Sequence, residues 1–147
     1  MRPALSPIVP VCAALCGLCL LCFACGPAPT NVERGGRGEI VLEAELDPGL
    51  ELNGPTPLLI LCPKTDVLTC DAEQGVAAAS PAKLGFTVSE QAPIGRVKVP
   101  VELRFTYCRK ADNICVFKDQ KETLALEVAE SSGSNAVARA PLRVRIK

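Results

Sequence analysis

Histidine is absent from this 147-residue chain, and so is tryptophan. Without His the chain lacks the usual general base near neutral pH and the commonest metal ligand, which argues against a hydrolase or a histidine-ligated metalloenzyme. Aromatic residues are scarce, four Phe and one Tyr, so any core must be largely aliphatic. An excess of charge is missing too: Lys+Arg and Asp+Glu stand at 16 each. Loss of an N-terminal segment holding Arg2 and no acid leaves 15 against 16, a net charge of −1. Such a surface exerts no bulk attraction on nucleic acid or anionic lipid, and no nucleic-acid partner is expected. No convincing helix emerges either. Residues 72–83 are alanine-rich, but Gly75 and Pro81 limit them to a turn or two. What is present is 48% apolar residues, 13 Pro, 11 Gly and nine Cys, which suits one turn-rich domain.

The N-terminus reads as a targeting segment. Met1 and Arg2 give a short positive start, and an apolar run extends from Val11 to Ala24. Its 14 residues would rise about 21 Å as a helix, short of the roughly 30 Å hydrocarbon core. Small residues, Ala24-Cys25-Gly26, close the run. This is the layout of a secretory signal peptide over residues 1–24. A spanning helix reaching back to Ala4 is the competing reading. Cleavage before Cys25 leaves five cysteines, of which Cys62, Cys70, Cys108 and Cys115 form two close pairs and Cys25 is odd. An odd cysteine at the terminus of an exported chain calls for an explanation, and lipidation supplies one; ordinary cleavage after Ala24, without lipid, is the alternative. Residues 25–38, Pro- and Gly-rich with scattered charge, read as a flexible tether behind it.

From Glu39 to Lys147 the dominant period is two. Ile40, Leu42, Ala44 and Leu46 mark one strand, and Asp47-Pro48-Gly49 a turn after it. The apolar run 57–62 suits a strand buried on both faces. The strongest strand spans Arg96 to Cys108, with Val97, Val99, Val101, Leu103, Phe105 and Tyr107 on one face. Pro100 cannot donate to a ladder, so this strand is expected at an edge or bulged. Residues 114–117 and 123–128 continue the pattern, with Leu124, Leu126 and Val128 inward; Leu142, Val144 and Ile146 end it. Six to eight short antiparallel strands predict an all-β, immunoglobulin-like β-sandwich, with a small barrel as the alternative.

Seven residues separate Cys62 from Cys70 and six separate Cys108 from Cys115, spacings that suit a cross-link over one hairpin or loop. Outside the cytoplasm such pairs are usually disulfides, each contributing on the order of 2–3 kcal/mol. A four-cysteine zinc site would call for closer knuckle spacing. A redox-active pair is the other alternative, in which Arg109 and Lys110 favour a Cys108 thiolate and Asp112 opposes them.

Two resemblances sharpen the picture. Ala24-Cys25-Gly26 resembles the end of the lipobox of bacterial lipoproteins, although Cys22 stands where that family has an aliphatic residue. It implies lipid on Cys25, and Gly26 after it implies sorting to the outer membrane, facing the periplasm. Leu50-Glu51-Leu52-Asn53-Gly54-Pro55-Thr56-Pro57, followed by Phe105-Thr106-Tyr107-Cys108 and Ile114-Cys115-Val116-Phe117, is similar to the small β domain that ends certain NHL-repeat proteins with a thioredoxin-like domain. It also resembles the N-terminal immunoglobulin-like domain of the disulfide interchange protein DsbD, spanning roughly Glu39 to Val128. That resemblance implies that Cys108 and Cys115 are hairpin cysteines able to pass electrons to periplasmic partners; the gap between them is slightly longer here. Together these readings predict a non-enzymatic, lipid-anchored interaction or accessory module without a cofactor. The alternative is a thiol–disulfide exchange module with Cys108 as nucleophile, Cys115 as resolving thiol and a thioredoxin-like partner.

Overall fold

Alternating apolar and polar residues commit the chain to strands, and ten of them form two packed sheets. The computed structural model describes residues 28–147, and the segment read as a signal peptide, with Cys25, lies outside them. The strands are β1 (Thr30–Glu33), β2 (Arg37–Leu46), β3 (Leu50–Leu52), β4 (Leu58–Ile60), β5 (Leu68–Cys70), β6 (Val76–Ala78), β7 (Ala82–Val88), β8 (Gly95–Arg109), β9 (Cys115–Ala129) and β10 (Ala138–Ile146). No helix occurs among the described residues. The first sheet has the order β1-β9-β8-β4-β6, with β3 also pairing β8; the second is β10-β2-β7-β5. The fold is an all-β sandwich carrying two local disulfides, Cys62–Cys70 and Cys108–Cys115.

The core lies between the sheets. Phe86 and Phe105 are its largest fully buried side chains, surrounded by Ile40, Leu42, Leu58, Ile60, Leu84, Leu103, Leu126 and Ile146. The space around the Phe86 ring is tight. A Cβ on Gly38 would run into the Phe86 ring, so glycine at that position of β2 makes room for it. No Asp, Glu, Lys or Arg side chain is buried among the described residues, and Tyr107 brings a phenol to the rim of the core.

Several expectations need correction. The stretch read as a tether is built into the sandwich from Thr30 onward. β1 lies parallel to β9, from Thr30 beside Leu126 to Glu33 beside Ala129, and Val32 is buried. Gly35, at φ +68°, and Gly36 then turn the chain into β2. Four residues have too little local signal to read as a strand; their partner lies almost a hundred residues away. The sheets are also not wholly antiparallel, because β10 runs parallel to β2 as β1 does to β9. The run 57–62 yields only three strand residues, with Leu58 and Ile60 buried and Leu59 half-buried. The alanine-rich stretch contributes β6.

Pro100 stands in a central strand rather than at an edge. The hydrogen bonds of β8 explain this. Thr106 and Glu102 turn their backbone groups toward Pro57, Asn53 and Leu61, so even-numbered positions of β8 face β3 and β4. Pro100 faces the same way but lies beyond the end of β4, which pairs only with Leu103 to Phe105. Its missing N–H is on a stretch of β8 with no strand paired on that side among the described residues, so the local environment is that of an edge.

Candidate functional site

The far end of the β8–β9 hairpin gathers the residues singled out for chemistry. The ladder runs unbroken from Gly95–Val128 to Cys108–Cys115. Cys108 and Cys115 are therefore directly opposite, at a pair whose backbone groups point away from each other, with Cα atoms 3.9 Å apart. Non-hydrogen-bonded pairs bring side chains closest together, so this register suits a cross-strand bridge. A five-residue loop, Lys110–Ile114, closes the hairpin. Asn113 takes the left-handed conformation at φ 54° and donates its N–H to the Arg109 carbonyl at 2.9 Å. The Asp112 carboxylate accepts from the Ile114 N–H at 3.1 Å, an Asx turn that fixes the approach to Cys115.

The two sulfurs sit in different surroundings. On its outer side Cys108 is paired with Glu51 of β3, while Lys110 donates to the Gly49 carbonyl at 2.9 Å. Flanked by β3 and β9, Cys108 is only 7% exposed. Cys115 belongs to the stretch of β9 that lies beyond β1, has no strand on its outer side among the described residues, and is exposed. Cys115 is thus the more exposed residue of the pair, whereas the basic residues beside Cys108 had pointed to Cys108 as the reactive one.

Those basic residues are also occupied. Arg109 contacts Asp112 at 2.8 Å, and Lys110 lies 3.9 Å from Glu51. Each cation has an acid beside it, so little positive field is left to stabilise a Cys108 thiolate. What the cysteine spacing does not reveal is the apolar surface around the bridge. Ile114 is 50% exposed and Phe117 64% exposed, two of the four exposed large apolar side chains among the described residues. The period of two already put Phe117 on the same face as Cys115; that the face is uncovered depends on the other sheet.

Cys62–Cys70 is a different kind of link. Cys62 follows β4 in the first sheet and Cys70 ends β5 in the second, so the bridge spans the crossing between sheets, with Cα atoms 5.9 Å apart. It closes a loop, not a hairpin, and both its residues are half-buried. The four cysteines thus form two separate local bridges, and no group of three or more metal-ligating side chains converges among the described residues. No protein-family model matches the chain, and no curated protein matches it.

Proposed function

We propose that this chain is an exported, non-enzymatic interaction module, held at a membrane by lipid on Cys25, that engages a partner protein through the tip of the β8–β9 hairpin. The observation that carries this reading is the exposed pair Ile114 and Phe117 beside the Cys108–Cys115 bridge. A cross-linked hairpin end offering aliphatic and aromatic surface loses little conformational freedom on binding, and such preorganisation favours association. Two disulfides fit an oxidising compartment such as the periplasm. The anchor is tested by labelling cells with a fatty-acid analogue: incorporation that disappears in Cys25→Ser supports it, and unchanged incorporation refutes it. The surface is tested by placing a photo-cross-linking residue at Phe117 or, as a control, at Lys98 in the full-length chain. A discrete adduct from position 117 alone is expected; equal yields at both positions refute the reading.

The exposure of Cys115 favours thiol–disulfide exchange as a second reading. A thiolate of a thioredoxin-like dithiol attacks the Cys115 sulfur, the Cys108–Cys115 bond breaks, and Cys108 leaves as thiolate. The partner's second thiol then attacks the mixed disulfide and releases Cys115, so two electrons pass from partner to pair. Redox titration of the full-length protein, with thiol trapping and peptide mapping, separates the two readings. Opening only below about −300 mV marks a structural bridge, whereas opening near about −200 mV with Cys62–Cys70 still closed marks an exchanging one.

A further inference from the structure

We infer that two copies of this chain pair edge to edge through β9, antiparallel and centred on Gln120, joining their first sheets into one. This pairing stands on the free edge of β9 and not on the hairpin-tip reading, and the two surfaces share only Phe117, at the end of the paired stretch.

β1 covers β9 only from Leu126 to Ala129, and its parallel register carries Ala28 to the level of Leu124. From Cys115 to Thr123 the outer edge of β9 has no strand beside it among the described residues. Ala129 accepts from Arg34 on that side, so odd-numbered positions direct their N–H and C=O groups outward. Residues 117, 119, 121 and 123 thus present a row of backbone groups with no partner strand among the described residues, and such a row is a template for pairing with another strand.

The side chains select the partner. About a two-fold axis through Gln120, antiparallel pairing sets Asp119 against Lys121 and Lys118 against Glu122, each twice. It also sets Phe117 against Thr123. Odd positions then meet odd positions, the arrangement in which the outward backbone groups bond directly. Moving the axis by one residue brings Asp119 against Asp119 or Lys121 against Lys121, and moving it by two brings Lys118 or Glu122 against itself. Opposite charges directly across a ladder stabilise it and like charges destabilise it, so the sequence favours this one register.

Both faces of the joined sheet agree with it. On the outer face, Arg104 contacts Asp119 at 3.1 Å and Glu102 contacts Lys121 at 3.4 Å within one copy. Pairing extends these into rows of alternating sign across four strands, Arg104, Asp119, then Lys121 and Glu102 of the second copy. On the opposite, core-facing side, Lys118 and Glu122 are half-buried, and neither has an ion-pair partner within the chain among the described residues. A second copy supplies one for each. Charges on an edge usually discourage indiscriminate pairing; here their order admits one partner. The two hairpin tips then point to opposite ends of the joined sheet, leaving Ile114 free on each copy.

The test uses the full-length chain, purified in mild detergent in the form the expressing cell yields. Gln120 meets its own copy at a non-hydrogen-bonded pair, so Gln120→Cys should form a dimer cross-linked through that position under mild oxidation, confirmed by peptide mapping. Thr123→Cys should not, because its two copies would lie about 20 Å apart. By sedimentation, Lys118→Glu should weaken the dimer about tenfold, and Lys118→Glu with Glu122→Lys should return it to within about threefold of the parent. Unchanged circular dichroism shows that each variant still folds. Equal cross-linking at positions 120 and 123, or no recovery in the charge-swapped pair, overturns the inference. So does a monomer at every concentration, including one whose Asp119 and Lys121 amides resist hydrogen exchange because residues preceding Ala28 occupy the edge.

Discussion

Cys108 and Cys115 face each other in the last pair of the β8–β9 ladder, yet only Cys115 is exposed. The difference comes from β3, which flanks Cys108 and has no counterpart beside Cys115 among the described residues. In Cys108→Ser the remaining Cys115 thiol should therefore alkylate quickly. In Cys115→Ser the remaining Cys108 thiol should react at least about tenfold more slowly, being shielded and without a net positive field. Equal rates, measured with a small maleimide, would contradict the assignment. Replacing both by Ala should lower unfolding stability by about 2–3 kcal/mol, the usual effect of closing a short loop.

Phe86 fills the space that Gly38 leaves open on β2. Gly38→Ala should destabilise the sandwich by about 1–3 kcal/mol in urea titrations, because an added methyl in a packed core forces its neighbours apart. Combining it with Phe86→Leu should cost less than the sum of the two single changes. Strict additivity would mean that the ring moves aside freely.

Pro100 and Val101 are neighbours on β8 with opposite hydrogen-bonding directions. Pro100→Thr should change stability by less than about 0.5 kcal/mol, since the restored N–H faces a stretch without a partner strand. Val101→Pro should cost at least about 2 kcal/mol, because that N–H points into the ladder with β9 and its loss leaves a carbonyl unpaired. Thermal or urea unfolding of the two variants checks the contrast.

Glu33, at the end of β1, accepts hydrogen bonds from the Ser132 hydroxyl at 2.6 Å and the Ser132 N–H at 2.9 Å. The hydroxyl contact, followed by the N–H contact, holds the Glu33 carboxyl below its ordinary range. A depressed carboxylate pKa adds stability above the unfolded value, about 4.3, and that contribution is lost as pH falls through the folded value. Ser132→Ala should move the Glu33 titration upward, observed by NMR of its side-chain carboxyl, and shift the acid limit of that contribution upward with it. An unmoved titration would mean that the N–H contact suffices.

The strands from Ile40 to Leu46 and from Arg96 to Cys108 were legible because alternation is written in adjacent residues and survives any choice of neighbour. The same holds for the inward face of Leu124, Leu126 and Val128. The cysteine spacings likewise disclosed two local pairs, since closing six or seven residues depends on chain length. The site was legible only in part. Cys108 and Cys115 were visible, but the exposed apolar surface of Ile114 and Phe117 beside them was not.

The sequence by itself determined that this is an all-β chain with a histidine-free, aromatic-poor interior and two locally bridged cysteine pairs. Tertiary structure alone decided that Thr30–Glu33 joins β9, that β10 runs parallel to β2, that Cys62–Cys70 spans the two sheets, and that Pro100 is accommodated in a central strand. It also decided which cysteine is covered and which stretch of β9 has no strand beside it among the described residues. The reason is physical: a side chain's period follows from its nearest neighbours along the chain, whereas an edge, a covered sulfur or a missing donor without cost depends on strands brought together from far apart.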